Sequence, residues 1–275
     1  MIFVYKNWER FCKKLHDNNI ISISLKDVDD KKNYISLKHD VETNIKKAYK
    51  ISKIESKFGH CGVFYVQAYL LKEKKNVNVL LKMQQMGHEI TYHHDVMDSN
   101  KGDIDKAILE FEQNIKLFEA AGFNIETVCQ HGNPLIERKG YNSNRDFFRS
   151  EKVKNLYPQI SDIMVDFKYK KRTEYRYYSD AGRKFKCIYD PLNNDVVKSD
   201  EKNIEYSTLN EVWNSLDLSQ GNIISIHPHR WTKFTIVYLL KNLTFKIIRK
   251  VAKILYRIPF LRKFFNRYYY LAKKI

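Results

Sequence analysis

Residues 36–42 read SLKHDVE, residues 87–95 read GHEITYHHD, and residues 223–231 read IISIHPHRW. Each segment has the apolar or alternating pattern of a β-strand and ends in acidic and imidazole side chains. Side chains at the ends of neighbouring strands can meet at one rim, and acids and histidines together are what a metal-assisted hydrolase needs. The three segments therefore predict one shared site, which none of them would predict alone.

Amphipathic helical patterns lie between the strand-like segments. Apolar residues recur every three or four positions over 44–58, 76–86 and 103–121, and glycine follows each pattern. Strand alternating with helix predicts parallel strands joined by crossover helices. The periodicity alone allows either a (β/α) barrel or an open doubly wound sheet, and in a barrel the chemistry would lie at the C-terminal strand ends.

The order and spacing of these segments resemble the polysaccharide deacetylases, carbohydrate esterase family 4, over residues 30–231. The similarity is greatest to a divergent branch whose first motif reads His-Asp-Val-Asp, and the stretches QHGNP at 130–134 and YSDAG at 178–182 also resemble elements of that branch. The resemblance implies a distorted (β/α) barrel of about seven strands. We assign residues 1–231 to this catalytic barrel and residues 232–275 to a basic amphipathic helical tail.

The resemblance also implies roles for the residues that match the motifs. Asp40 would be the catalytic base, Glu42 a metal ligand and His227 the general acid. The chain departs from the pattern at Glu42, where the family has Asp. Glutamate is one methylene longer but still binds zinc.

A second departure concerns the family's His-x-x-x-His pair. His93 matches its first histidine as a metal ligand, but the second position is Met97. We expect His131, at the end of the next predicted strand, to complete a site for a divalent metal, with zinc as the expected ion. His94 is the alternative ligand, although adjacent residues of a strand point to opposite faces.

The same residues also have possible structural roles. Asp40 and His39 could instead cap the helix that follows, since Asp is a common N-cap residue. Single histidines more often support structure than bind metal. The recurrence of acid and histidine at successive strand ends favours a metal site, and a relative that has lost its ligands and its activity is the alternative.

The basic charge of the chain is concentrated in its last 44 residues. Residues 232–275 hold twelve of the 49 Lys and Arg and none of the 32 acids, which leaves a net charge of +5 for residues 1–231 out of the total +17. Apolar residues from 247 to 258 alternate with bases at helical spacing, and Pro259 breaks the pattern before a second amphipathic piece. Such a tail predicts binding to an anionic membrane surface, and a helix packed on the barrel is the alternative.

The compartment is inferred from the cysteines and the N-terminus. The four cysteines form no Cys-x-x-Cys pair, which favours reduced thiols over a disulfide framework or a thiolate zinc site. The first ten residues lack the apolar core of a signal peptide, and no stretch reaches the roughly 18 apolar residues of a membrane span. We expect a cytoplasmic protein, peripheral at the inner face of the membrane.

Together these features predict a metal-dependent hydrolase that removes acetyl groups from an N-acetylated sugar in surface-glycan biosynthesis. Two alternatives stay open: hydrolysis of another amide or ester at the same metal, and an inactive glycan-binding scaffold at the membrane. A nucleic-acid partner is not expected, because no recognised nucleic-acid module is present.

Overall fold

The computed structural model describes residues 3–28, 33–132, 136, 138–165, 175–188 and 203–255, with only the backbone at 248, 249 and 252–255. Nine strands occur in this part of the chain: β1 Tyr34–Val41, β2 Gly62–Val66, β3 Glu89–His94, β4 Thr127–Gln130, β5 Ser161–Asp162, β6 Tyr175–Ser179, β7 Phe185–Ile188, β8 Ile204–Tyr206 and β9 Gly221–Ile226. Nine α-helices accompany them: α1 Tyr5–Asp17, α2 Ile45–Ser56, α3 Lys74–Gln85, α4 Val96–Ser99, α5 Ile104–Ala120, α6 Asp146–Arg149, α7 Glu151–Leu156, α8 Leu209–Ser215 and α9 Thr235–Leu255.

The strands form one sheet in the order β5-β4-β3-β2-β1-β9-β6-β7-β8. The first seven strands of this order run parallel, and β7 and β8 add an antiparallel extension at one end. The α/β class is confirmed. Closure into a barrel is not seen: β5 and β8 lie at opposite ends of the order, and no pairing joins them in the described ranges.

The two faces of the sheet carry different cores. The larger core packs α1, α2, α3 and α5 against one face and includes Trp8, Leu37, Phe64 and Phe111. The smaller core lies on the opposite face and includes Tyr65. Because successive residues of β1 alternate between the faces, Lys38 and Asp40 lie on the side of the smaller core, and His39 lies against Trp8 and Phe64 on the helical side.

Helix formation follows local signals in the sequence. Asn44 caps α2 by accepting a hydrogen bond from the amide of Lys47, and Asp103 caps α5 in the same way. Asp40 is therefore not the N-cap of α2, and that structural reading of Asp40 is wrong. The capped helices run back along the sheet and bring each following strand in parallel.

The start of the C-terminal segment is packed on the body of the protein. Thr232 exchanges backbone hydrogen bonds of 3.0 Å with Phe3 and Tyr5, and Tyr238 of α9 is buried with its ring 5.7 Å from that of Phe3. The first turn of α9 thus belongs to the core, although it lies in the segment 232–275 that we assigned to the tail. Pro259 and the second amphipathic piece lie outside the described residues. No helix in the described ranges is long and apolar enough to cross a membrane.

Candidate active site

Five predicted site residues lie at one rim of the sheet. Asp40 and Glu42 are at the end of β1, His93 is near the end of β3, and His131 and His227 directly follow β4 and β9. The structure brings all five together because these parallel strands are close neighbours whose C-terminal ends share an edge. His227 Nε2 lies 3.7 Å from Glu42 Oε1 and 3.8 Å from Asp40 Oδ2.

Glu42, His93 and His131 form a compact group of donors. One ligand atom from each lies within 4.8 Å of the others, and both histidines are buried. His93 Nδ1 lies 2.9 Å from the carbonyl oxygen of Cys129, so a proton on Nδ1 would be donated there and Nε2 would be left as the ligand. His131 Nε2 lies 3.3 Å from Glu42 Oε1.

The protonation of this group suits a divalent metal. Burial lowers the pKa of His93 to about 3, so its imidazole is neutral at neutral pH. Burial would raise the pKa of Glu42, but the hydrogen bond and charge of His131, with the charges of His227 and His229, hold it well below its usual range. Two imidazoles and one carboxylate are a common zinc donor set with a coordination position left open.

A second possible donor group consists of Asp40, His93 and Cys129. Its members fit a cation less well. Lys38 Nζ lies 2.5 Å from Asp40 Oδ1 and would repel a metal ion held there. Burial raises the pKa of the Cys129 thiol, which disfavours the thiolate that binds metal. The geometry therefore favours Glu42, His93 and His131 as the ligands.

Lys38 holds Asp40 in its ionised form. The lysine side chain is fully buried, with its ammonium 5.2 Å above the ring of Tyr65 and 3.4 Å from Ser225 Oγ. Burial would raise the pKa of Asp40, but the charge of Lys38, followed by those of His93 and His227, keeps it well below the usual range. Asp40 Oδ1 is occupied by this pair, and Oδ2 faces His227.

Asp180 belongs to the candidate site, although the sequence motifs assign it no role. It follows β6, is fully buried, and its Oδ1 lies 2.5 Å from His227 Nδ1. The backbone amide of His227, Arg230 Nη1 and Trp231 Nε1 also donate to its carboxylate. The carboxylate therefore fixes the ring of His227 so that Nε2 points toward Asp40 and Glu42. A signal was available, since YSDAG puts an acid directly after a strand.

His131 is held from behind by a polar network. Asn144 Nδ2 donates to the backbone oxygen of His131 and to Asp98 Oδ2, both at 2.8 Å. Asp98 also accepts two hydrogen bonds of 2.8 Å from Arg138 and one of 3.0 Å from Tyr141. These contacts hold the backbone of His131, which lies just beyond the end of β4.

His94 and Met97 lie away from the donor group. His94 is on the helical face of the sheet among aromatic rings, and its Nε2 lies 2.8 Å from Asp162 Oδ2. Met97 lies in α4 and is buried in the larger core. His229, by contrast, lies at the rim, with Nδ1 4.0 Å from Glu42 Oε2, and burial followed by the charge of Arg230 lowers its pKa to about 3.

Comparison with solved structures finds a mutant of the peptidoglycan deacetylase PdaC from Bacillus subtilis. The match has a TM-score of 0.40 and 10% sequence identity, and it covers 81% of this chain and 99% of that chain. No family model and no curated protein matches the sequence.

Proposed function

We propose that this protein is a metal-dependent hydrolase that removes the acetyl group from an N-acetylated sugar during surface-glycan biosynthesis. The observation that carries the proposal is the meeting of Glu42, His93 and His131 beside Asp40 and His227. A divalent ion, expected to be zinc, would be held by the first three residues and would polarise the amide carbonyl and lower the pKa of water.

Two further groups carry the proton transfers in this proposal. Asp40, kept ionised by Lys38, accepts a proton from the attacking water as general base. His227, oriented by Asp180, delivers a proton to the leaving amine from Nε2 as general acid. His227 Nε2 lies 3.8 Å from Asp40 Oδ2 and 3.7 Å from Glu42 Oε1, so both proton-transfer groups are close enough to act at one carbonyl carbon.

We also propose that α9 and the residues after it attach the protein to an anionic membrane surface at its cytoplasmic face. Seven large apolar side chains between 234 and 251 are 47–61% exposed: Phe234, Ile236, Leu239, Leu240, Leu243, Ile247 and Val251. An exposed apolar stripe on a helix that carries bases and no acids supports an interfacial position.

The metal assignment is tested by metal analysis of the purified protein and its variants. We expect about one bound divalent ion per protein molecule. His131→Ala and Glu42→Gln should lower the affinity for the metal by more than the roughly 10- to 100-fold loss that follows removal of a residue that only hydrogen-bonds to a metal ligand. The matched control is His94→Ala, which removes a buried histidine from the adjacent position and should keep the metal. Metal lost in His94→Ala and kept in His131→Ala would reverse the ligand assignment.

The reaction is tested by acetate release from a panel of N-acetylated sugars. Turnover of at least one sugar, abolished by Asp40→Asn with the metal still bound, is the expected result. Metal-loaded protein that releases acetate from none of them, but cleaves another amide or ester, would change the substrate class. Binding of glycans with no hydrolysis would favour the inactive scaffold.

A further inference from the structure

Three cationic side chains converge beside the candidate active site. Lys47 of α2 donates from Nζ to the backbone oxygen of His229 at 2.5 Å, and the side chain of Lys241 from α9 lowers the pKa of Lys47. Arg183, in the turn after β6, lies 4.3 Å over the ring of Phe245 of α9. Three separate elements thus contribute positive charge around the contact of Lys47 with His229.

Within the described ranges, Asp180 is the acid whose charge acts on the cluster, and it does so at Arg183 without forming an ion pair with it. Lys47, Arg183 and Lys241 form no ion pair with a carboxylate of the described residues. Like charges held close together disfavour one another. Burial, and then the charge and contact of Lys241, lower the pKa of Lys47 to about 8, and burial followed by the charge of Arg230 lowers the pKa of Arg183.

The position of the cluster relates it to the substrate. His229 accepts the hydrogen bond of Lys47 through its backbone oxygen, and its own imidazole lies 4.0 Å from Glu42 Oε2. An anionic group held by the cluster would therefore lie near the metal that Glu42 is proposed to bind. One substrate molecule could then reach both the cluster and the metal. A phosphate fits best, because it carries a charge of about −1.5 to −2 and three acceptor oxygens, which matches several converging donors.

We propose that Lys47, Arg183 and Lys241 form a subsite for the phosphate or diphosphate group of the substrate, which would be a phosphorylated N-acetylated sugar. This inference rests on the proposed function for the identity of the sugar and names the chemical class to which that sugar belongs. A diphosphate attached to a lipid and one attached to a nucleoside share this chemistry. Lys241 and the exposed stripe belong to the same helix, so a phosphate at the membrane surface and one in solution can both reach the cluster.

The binding experiment uses full-length protein and inorganic pyrophosphate as the probe, measured by calorimetry. Loss of one charge-assisted contact should weaken binding about ten-fold or more, so Lys47→Gln, Arg183→Gln and Lys241→Gln should each show that loss. Lys46→Gln and Lys246→Gln remove exposed lysines from the same two helices and should bind as the parent does. Pyrophosphate binding that is unaffected by the three variants, but lost in His131→Ala, would mean that the probe binds a metal, and would overturn the subsite.

The kinetic experiment compares N-acetylglucosamine 1-phosphate with N-acetylglucosamine. The three variants should lower kcat/KM about ten-fold or more for the phosphorylated sugar, through KM, and leave the neutral sugar unaffected. If acetate is released from the neutral sugar and the phosphate brings no advantage, the subsite is wrong and the proposed function stands. If no acetate is released but the three variants still weaken pyrophosphate binding, the anion site stands and the reaction is wrong.

Vesicles distinguish the two sources of phosphate. Competition between pyrophosphate and phosphatidylglycerol vesicles supports a subsite that is open to phosphate carried by a lipid, and simultaneous binding supports a soluble phosphorylated sugar. If the three variants weaken vesicle binding and pyrophosphate does not bind at all, the cations are a membrane contact and no substrate subsite exists.

Discussion

Lys38 and Asp40 show how two residues of one strand prepare the proposed base. They are two positions apart in β1, so both point to the same face, and both are buried. Burying each charge alone would be costly, and their attraction at 2.5 Å offsets that cost. Asp40→Asn thus has a structural effect besides its chemical one, because it leaves the ammonium of Lys38 without its partner.

A double-mutant cycle separates these two effects. Lys38→Met and Asp40→Asn should each lower the free energy of unfolding by about 3–5 kcal/mol, because each leaves one buried charged group without compensation. The double variant should recover most of that loss, since replacing both partners of a buried pair is often nearly neutral. Urea unfolding gives the free energy of unfolding of the parent, the two single variants and the double variant.

The exposed pair Lys13–Asp17 is the matched control for this cycle. Its atoms are 2.6 Å apart, but the side chains are 59% and 50% exposed, so its coupling should be about 0.5 kcal/mol or less. A double variant of Lys38 and Asp40 that is as unstable as the sum of the single variants would contradict the pairing. Recovered stability without recovered turnover would be the expected signature of Asp40 as the base.

The site residues differ in how far the sequence could predict them. Strand geometry predicts that the side chains of His93 and His94 point to opposite faces of the sheet. The structure shows this arrangement, because His93 contacts Cys129 and His94 contacts Asp162. Asp180 is different, because its partner His227 is 47 positions away and only the pairing of β6 with β9 brings them together. Contacts of this kind depend on strand order, which local pattern does not contain.

At the scale of elements, two buried Asp–His pairs occupy different parts of the sheet. Asp180 and His227 follow the adjacent strands β6 and β9 at the rim, and Asp162 and His94 end β5 and β3 beneath the helices. Their hydrogen bonds are 2.5 and 2.8 Å, and all four side chains are buried. The two pairs are therefore similar in chemistry, and only the first faces the candidate active site.

Substituting the two acids should separate catalysis from stability. Asp180→Asn should lower turnover by about 10²- to 10⁴-fold, because His227 loses the carboxylate that orients its ring. Metal content should be unchanged, since Asp180 contacts none of Glu42, His93 and His131 by hydrogen bond. The measurements are acetate release, metal analysis and the thermal midpoint.

Asp162→Asn is the control for the same kind of buried pair. It should lower the free energy of unfolding by about 1–3 kcal/mol and leave the activity of the folded protein intact. Equal loss of turnover in both variants would mean that Asp180 acts through the stability of the sheet. Normal turnover in Asp180→Asn would remove the pair from the reaction.

The elements also show where sequence patterns were sufficient. The sequence patterns predict strands β1, β3, β4 and β9 and helices α2, α3 and α5, and each of these helical patterns is followed by a glycine. The hairpin of β7 and β8 was not predicted, because β8 has three residues of mixed polarity and its burial is low. That hairpin extends the sheet beyond β6, so that β8 is the last strand in the order at that end.

At the scale of the whole molecule, charge and apolar surface are concentrated in the same place. Residues 1–231 carry a net charge of +5, whereas the remaining 44 residues carry twelve bases and no acid. The first turn of α9 is packed through Tyr238, while the stripe from Ile236 to Val251 is exposed. Deleting residues from Thr232 onward would therefore remove part of the core, and substitutions on the stripe are the cleaner test.

The full chain with Leu239→Gln, Leu243→Gln and Ile247→Gln should lose binding to phosphatidylglycerol-containing vesicles and keep its metal. These side chains are 49–57% exposed, so the fold does not depend on them, and fully burying one such side chain in the membrane contributes about 1.5–3 kcal/mol.

The control Ile21→Gln, Leu109→Gln and Leu156→Gln removes three equally exposed aliphatic residues elsewhere and should bind vesicles normally. Binding by the parent should weaken as salt rises, because headgroup attraction is screened beyond about 10 Å at 0.1 M. Equal loss in both triple variants, or a parent chain that ignores these vesicles at low salt, would end the membrane proposal and leave the catalytic proposal untouched.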